Sequence, residues 1–167
     1  MKKLLLAAII SLSTISTAAL AEIKVGIILG FTGPIETLTP AMRDSAKLAF
    51  AEVSSSGKLL GGETITPMMA DSTCVDSDAA VAAAEMLVSD GVVAIMGADC
   101  SGVTGAIATN VAVPNGVTMV SPSATSPGLT SLADNGLFFR TAPSDAKGGQ
   151  VLAQVALDRG LTSVAVT

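Results

Sequence analysis

Hydrophobic positions along this chain fall into two alternating rhythms. Short, unbroken, β-branched runs, such as residues 23–29 (IKVGIIL), have the pattern of strands buried on both faces. Between them lie longer stretches whose apolar residues recur every three or four positions. Residues 41–57 place Met42, Ala46, Ala49, Phe50 and Val53 on one helical stripe, with Gly57 as the stop. Residues 63–71 (ETITPMMAD) read as a second strand. Pro67 cannot donate to a ladder, so this strand belongs at a sheet edge. A helix over 77–91 follows, with Ser77 or Asp78 as cap and Gly91 as stop. Residues 92–97 and 117–121 are the third and fourth strands, separated by a small-residue helix over 101–116 that stops near Pro114. After a polar loop over 122–136, residues 137–141 (LFFRT) look like a fifth strand. Residues 144–160 form an amphipathic helix with Val151, Leu152, Val155 and Ala156 on its apolar face, and 162–167 begin another strand.

Strand and helix in strict alternation predict an α/β fold: a Rossmann-like three-layer α/β/α lobe around a parallel sheet with right-handed crossovers. In such sheets the ligand crevice lies beyond the carboxyl ends of the strands. Three polar loops, 30–40, 98–104 and 121–130, fall on that rim. The closing strand is of the buried kind with nothing after it to complete a sheet. It reads as the start of a second lobe in a longer, two-lobed protein.

The amino terminus changes the picture of where the chain works. Residues 1–21 (MKKLLLAAIISLSTISTAALA) carry two lysines, a short apolar core and an A-x-A ending, the three parts of a secretory signal. The apolar core is interrupted by Ser and Thr and is short for a bilayer span. The expected organisation is therefore a signal peptide over 1–21, an amino-terminal lobe over 22–140 and the beginning of a second lobe over 141–167. The protein expected is exported and is not inserted in the membrane after cleavage.

Seven of the nine basic residues and all fourteen acidic ones lie beyond residue 21, a net charge of −7. That balance disfavours nucleic acid and anionic membranes. The near absence of aromatic side chains, four Phe with no Tyr or Trp, removes the stacking platforms of single-strand binders.

Candidate chemistry is sparse. Cys74 and Cys100 are the two cysteines; in an exported chain an even count reads as a disulfide, and without histidine or a CxxC motif a zinc site has no ligand set. A serine–histidine triad is impossible for the same reason. Ser144 and Lys147 have Ser-x-x-Lys spacing, but at a helix start Ser144 is a cap. No phosphate-binding glycine motif occurs, and no cofactor is expected. What remains is a crevice lined by amides and small hydroxyls. Ser101 caps the helix after the third strand, where free amides favour a carboxylate, and Ser123 and Thr125 offer hydroxyls from the next loop.

Several stretches, taken in order, carry a resemblance: IKVGIILGFTGP, DSTC with GADCS, TMVSPSATSPGLT and LFFRTAPSDAKGGQVLA. Together they resemble the periplasmic leucine/isoleucine/valine-binding proteins of ABC importers, over nearly all of residues 22–167. The resemblance implies a type I periplasmic binding fold of two lobes closing on an amino acid, a membrane permease as partner and the periplasm as compartment. It implies a Cys74–Cys100 disulfide, in agreement with the export argument. It assigns Ser101 to the ligand's carboxylate and Ser123 to a backbone role at the ligand's charged ends. Thr125 matches the threonine that meets both carboxylate and ammonium, with Ala124 as a close backbone neighbour. Leu38 stands near a position where relatives of aliphatic specificity often carry an aromatic residue, and the second lobe's ammonium partner falls beyond Thr167. Branched-chain amino acids are the first ligands to expect, and a ligand-sensing receptor domain of the same fold is the alternative.

Overall fold

The computed structural model describes residues 22–165; the proposed signal segment lies outside the described residues. The elements run β1 (Glu22–Leu29), α1 (Thr39–Ser55), β2 (Thr64–Asp71), α2 (Ser77–Ser89), β3 (Ala94–Gly97), α3 (Ser101–Ile107), β4 (Thr118–Ser121), β5 (Phe138–Arg140) and α4 (Asp145–Asp158). The five strands form one sheet in the order β2-β1-β3-β4-β5, every pair parallel. The strand carrying Pro67 is at the edge, as a residue without an N–H requires.

Side chains of β1 divide the core in two. Ile27 and Leu29 point to one face and pack with Ala46, Met42 and Phe50 of α1. Ile28 points to the other, among Ala80, Ala84 and Leu87 of α2 and Val103 and Ile107 of α3. All three β1 residues are fully buried, which explains the unbroken apolar run. Gly26 faces α2, where a Cβ would come within 2.9 Å of the Leu87 Cδ1 atom.

Element ends depart from the sequence expectation in instructive ways. The cap of α2 is Asp76, one residue before Ser77 and two before Asp78, the two expected caps. Its backbone is extended, and its carboxylate accepts from the amides of Asp78 and Ala79. Helix α1 begins at Thr39 with Pro40 in its first turn, where a fixed φ and a missing N–H cost nothing. Val92 and Val93 lie outside β3: the Val92 amide closes the end of α2 on the Leu87 carbonyl. The single helix expected over 101–116 widens over Ala108–Ala112, where the Val113 amide reaches back five residues to the Ala108 carbonyl.

Residues 161–165 form no strand, because no neighbouring strand among the described residues offers them a ladder. Helix α4 is capped by Ser144, which accepts from the Ala146 amide as the cap reading predicts. It has no buried residue, and Val151, Leu152 and Val155 are all exposed. An open apolar groove of about 650 Å³, lined by Met42, Phe50, Met96 and Val120 among others, runs beside α1.

Candidate ligand-binding site

The strand order reverses between β1 and β3, so the loops leaving these two strands part at a switch point, where α/β sheets open a crevice. The loops after β1, β2, β3 and β4 meet at this rim. Cys74 and Cys100 are joined, with an S–S distance of 2.02 Å and a Cα–Cα distance of 5.2 Å, tying the loop after β2 to the start of α3. Gly33 sits beneath this tie with φ of +100°, and a Cβ there would lie 2.4 Å from the Thr73 carbonyl oxygen.

Ser101 is the first residue of α3, and the cap position belongs to Cys100, whose side chain makes no capping bond. The expectation that Ser101 caps its own helix is therefore corrected. Already helical, the serine turns its hydroxyl outward, and Oγ accepts from the amides of Thr125 and Ser126, each at 3.1 Å. Ser123 donates its hydroxyl to the Asp99 carbonyl at 2.9 Å. Its own amide and carbonyl have no hydrogen-bond partner among the described residues.

Ala124 is fully buried; its amide donates to Ser121 Oγ and its carbonyl accepts from Arg140. Thr125 Oγ1 donates to Asp145 Oδ2 at 2.9 Å, and the Thr125 carbonyl accepts from the Asp145 amide. Ser101, Ser123, Ala124 and Thr125 thus lie in one network spanning two rim loops. Leu38 stands exposed just before α1.

Three polar residues that shape the rim were not singled out from the sequence. Arg140, on β5, gathers the loop after β4 by donating to the carbonyls of Ala124 and Ser126 and to Thr130 Oγ1. Asp99, just beyond β3, is buried in the middle of the rim. Asp71, at the end of β2, accepts from Thr32 Oγ1 at 2.6 Å and from the amides of Phe31, Thr32 and Thr73. A signal was available for two of them. An aspartate directly after an apolar strand, as in MMAD and MGAD, has its carboxylate level with the rim amides.

Partial burial pushes the Asp71 carboxyl up, but the hydrogen bonds from Thr32, Thr73 and Phe31 outweigh it and hold the group below the usual carboxylate range. Asp71 therefore releases its proton more readily in the folded chain than in the unfolded one. Its stabilisation is fully present above the ordinary aspartate value of about 3.9 and is lost as pH falls through the lower folded value. We expect the acid limb of the urea midpoint, followed from about pH 5 downward, to flatten in Asp71→Asn; an unchanged limb would show that another carboxylate sets it.

Among the described residues, no group of three or more His, Cys, Asp or Glu side chains could hold a metal ion. No helix among them is long and apolar enough to cross a membrane.

A parallel α/β lobe with a polar, disulfide-tied rim at its switch point has the layout in which such sheets open a crevice. The profile of the periplasmic binding protein family matches residues 22–167, and the chain belongs to that family. It is 31% identical over 157 residues to the Leu/Ile/Val-binding protein of Citrobacter freundii, which covers 94% of this chain and 42% of the relative. The fold matches the branched-chain amino acid transporter substrate binding protein of Streptococcus pneumoniae, solved with isoleucine, at a TM-score of 0.67 and 29% identity, over 75% of this chain and 35% of the other. It also matches an ABC transporter substrate-binding protein of Desulfitobacterium hafniense, solved with Leu, at a TM-score of 0.71 and 26% identity, over 84% and 40%. The chain thus spans about two fifths of the length of the relatives it matches.

Proposed function

We propose that this chain is the amino-terminal, ligand-holding part of a periplasmic substrate-binding protein. It captures a branched-chain amino acid for the membrane permease of an ABC importer. The observation that carries the reading is the pattern of unused hydrogen-bond capacity in the rim. Ser101 Oγ already accepts from two amides, so its remaining function is to donate, which suits a carboxylate. Thr125 Oγ1 has given its proton to Asp145, so its remaining function is to accept, which suits an ammonium. The free carbonyl and amide of Ser123 offer one group of each kind. Donor and acceptor side by side match a zwitterion.

The division into a signal over 1–21, a lobe over 22–140 and the start of a second lobe over 141–167 belongs to the same reading. Its second-lobe part is supported by the uncovered apolar face of α4 and the open groove beside α1, which are surfaces that further chain would cover. Closure of a second lobe then buries the ligand in the crevice. The relatives are named as binding proteins, and the role proposed here is binding without catalysis.

The test is calorimetric titration of the full-length natural polypeptide with L-leucine, L-isoleucine and L-valine. Binding of at least one is expected, and Ser101→Ala should weaken it about ten- to hundredfold, as for the loss of a hydrogen bond to a charged group. Absence of binding to all three, or unchanged affinity in both Ser101→Ala and Thr125→Ala, overturns the assignment.

A further inference from the structure

Asp99 is only 3% exposed, and among the described residues no cation pairs with it. Neutral donors satisfy the carboxylate instead, and they come from different loops. Oδ2 accepts from the Gly30 amide at 2.9 Å, in the loop after β1. Oδ1 accepts from Ser72 Oγ at 3.2 Å, in the loop after β2, and from the Cys100 amide at 3.1 Å, at the entry to α3. The backbone carbonyl of the same residue accepts from Ser123 Oγ at 2.9 Å, in the loop after β4.

Asp99 therefore ties three other rim loops to its own, and it does so at the switch point where the loops after β1 and β3 would otherwise separate. The approach is tight. A Cβ on Gly30 would fall 3.1 Å from the Cys74 Cβ atom and 3.3 Å from Asp99 Oδ2.

We infer that Asp99 is the positioning residue of the crevice. It sets the spacing between Ser101, which follows the Cys100 amide it holds, and Ser123, which it holds through its carbonyl. A carboxylate is needed because both oxygens must accept. In Asp99→Asn the amide NH₂ faces either the Gly30 amide or the Ser72 and Cys100 donors, so one side of the rim is left donor against donor. The inference rests on the proposed binding role for its consequence, but its geometry can be read without any ligand.

The experiment is hydrogen exchange on the full-length protein, comparing segments 29–33, 99–104 and 121–126 with the β1 core at 25–28. In Asp99→Asn the three rim segments should exchange about tenfold faster, the ratio expected for loss of a charged hydrogen bond, while the core segment is unchanged. Ser72→Ala, which removes one donor and retains the carboxylate, should show a smaller shift in the same segments and serves if Asp99→Asn does not fold.

L-leucine titration at a temperature well below melting supplies the second arm. Affinity should fall about tenfold in Asp99→Asn and much less when Ser123→Ala is already present, a coupling that a purely stabilising residue does not produce. Unchanged exchange at the rim in both Asp99→Asn and Ser72→Ala overturns the inference. So does equal leucine affinity in Asp99→Asn and the unsubstituted protein. If the unsubstituted protein binds none of the three amino acids while the rim still loosens, the binding role falls and the positioning role stands.

Discussion

Removing the Cys74–Cys100 bond, as the paired Cys74→Ala and Cys100→Ala variant, should lower stability by about 3.5 kcal/mol in the chain-entropy account for a separation of 26 residues. Against total stabilities of about 5–15 kcal/mol this is a large share, and the melting temperature should drop by roughly 10 °C. Local backbone makes the bond matter further. Thr73 and Cys74 both have positive φ, +56° and +71°, a region that β-branched and bulky residues rarely occupy. The Asp71 carboxylate grips the Thr73 amide from below, and the disulfide holds Cys74 from the side. With the bond gone, the turn is held by the Asp71 carboxylate and by the Asp76 amide, which donates to Thr73 Oγ1. Urea midpoints of the paired variant and of the parent, measured with and without reductant, check the expectation. A parent unaffected by complete reduction would contradict it.

Gly97→Ala should be nearly as damaging. Gly97 ends β3 beside β1 with φ of +137°, and a Cβ there would lie 2.0 Å from the Ile28 carbonyl oxygen and 2.8 Å from Ile28 Cγ2. Two costs add, backbone strain and overpacking, each of about 1–3 kcal/mol. Neither neighbour can yield easily, because Ile28 is fully buried between α2 and α3. Gly148→Ala is the control. It lies in α4 with open space around it and an ordinary φ, so alanine should stabilise it by up to about 1 kcal/mol. Equal effects of the two substitutions on the urea midpoint would refute the close-approach argument.

Much of the fold was legible because strands buried on both faces leave an unmistakable run, as in β1, and because Gly57 and Gly91 punctuate their helices at positive φ. Pro67 foretold its edge position for the same kind of reason, a missing donor. The site was legible only in its residue types. That Ser101, Ser123 and Thr125 belong to one rim follows from strand order, but what their hydroxyls bond to does not. Ser101 looked like a cap because serines before helices usually are, and the choice between its own helix and the neighbouring loop was decided by where the loop after β4 comes to rest. Asp99 and Asp71 were not read as anchors because an acid at a strand's end marks its own place level with the rim and not the donors it will meet. Their partners lie tens of residues away, at Gly30 and Thr32. Helix α4 showed its amphipathic pattern plainly, yet a pattern says which face seeks cover and not whether cover is present.

The order of the strands also carries a consequence in time. No two adjacent strands of this sheet are near in sequence: Met119 pairs with Phe138, Glu22 with Thr64, and Val25 meets Ala94 only across 69 residues. The central strand therefore cannot gain both of its neighbours until more than half of the chain is available to it. Pairings this distant make for slow folding, since long loops must close before any contact stabilises them. A polypeptide built this way is slow to close its sheet after synthesis, and the export proposed above would draw on that delay.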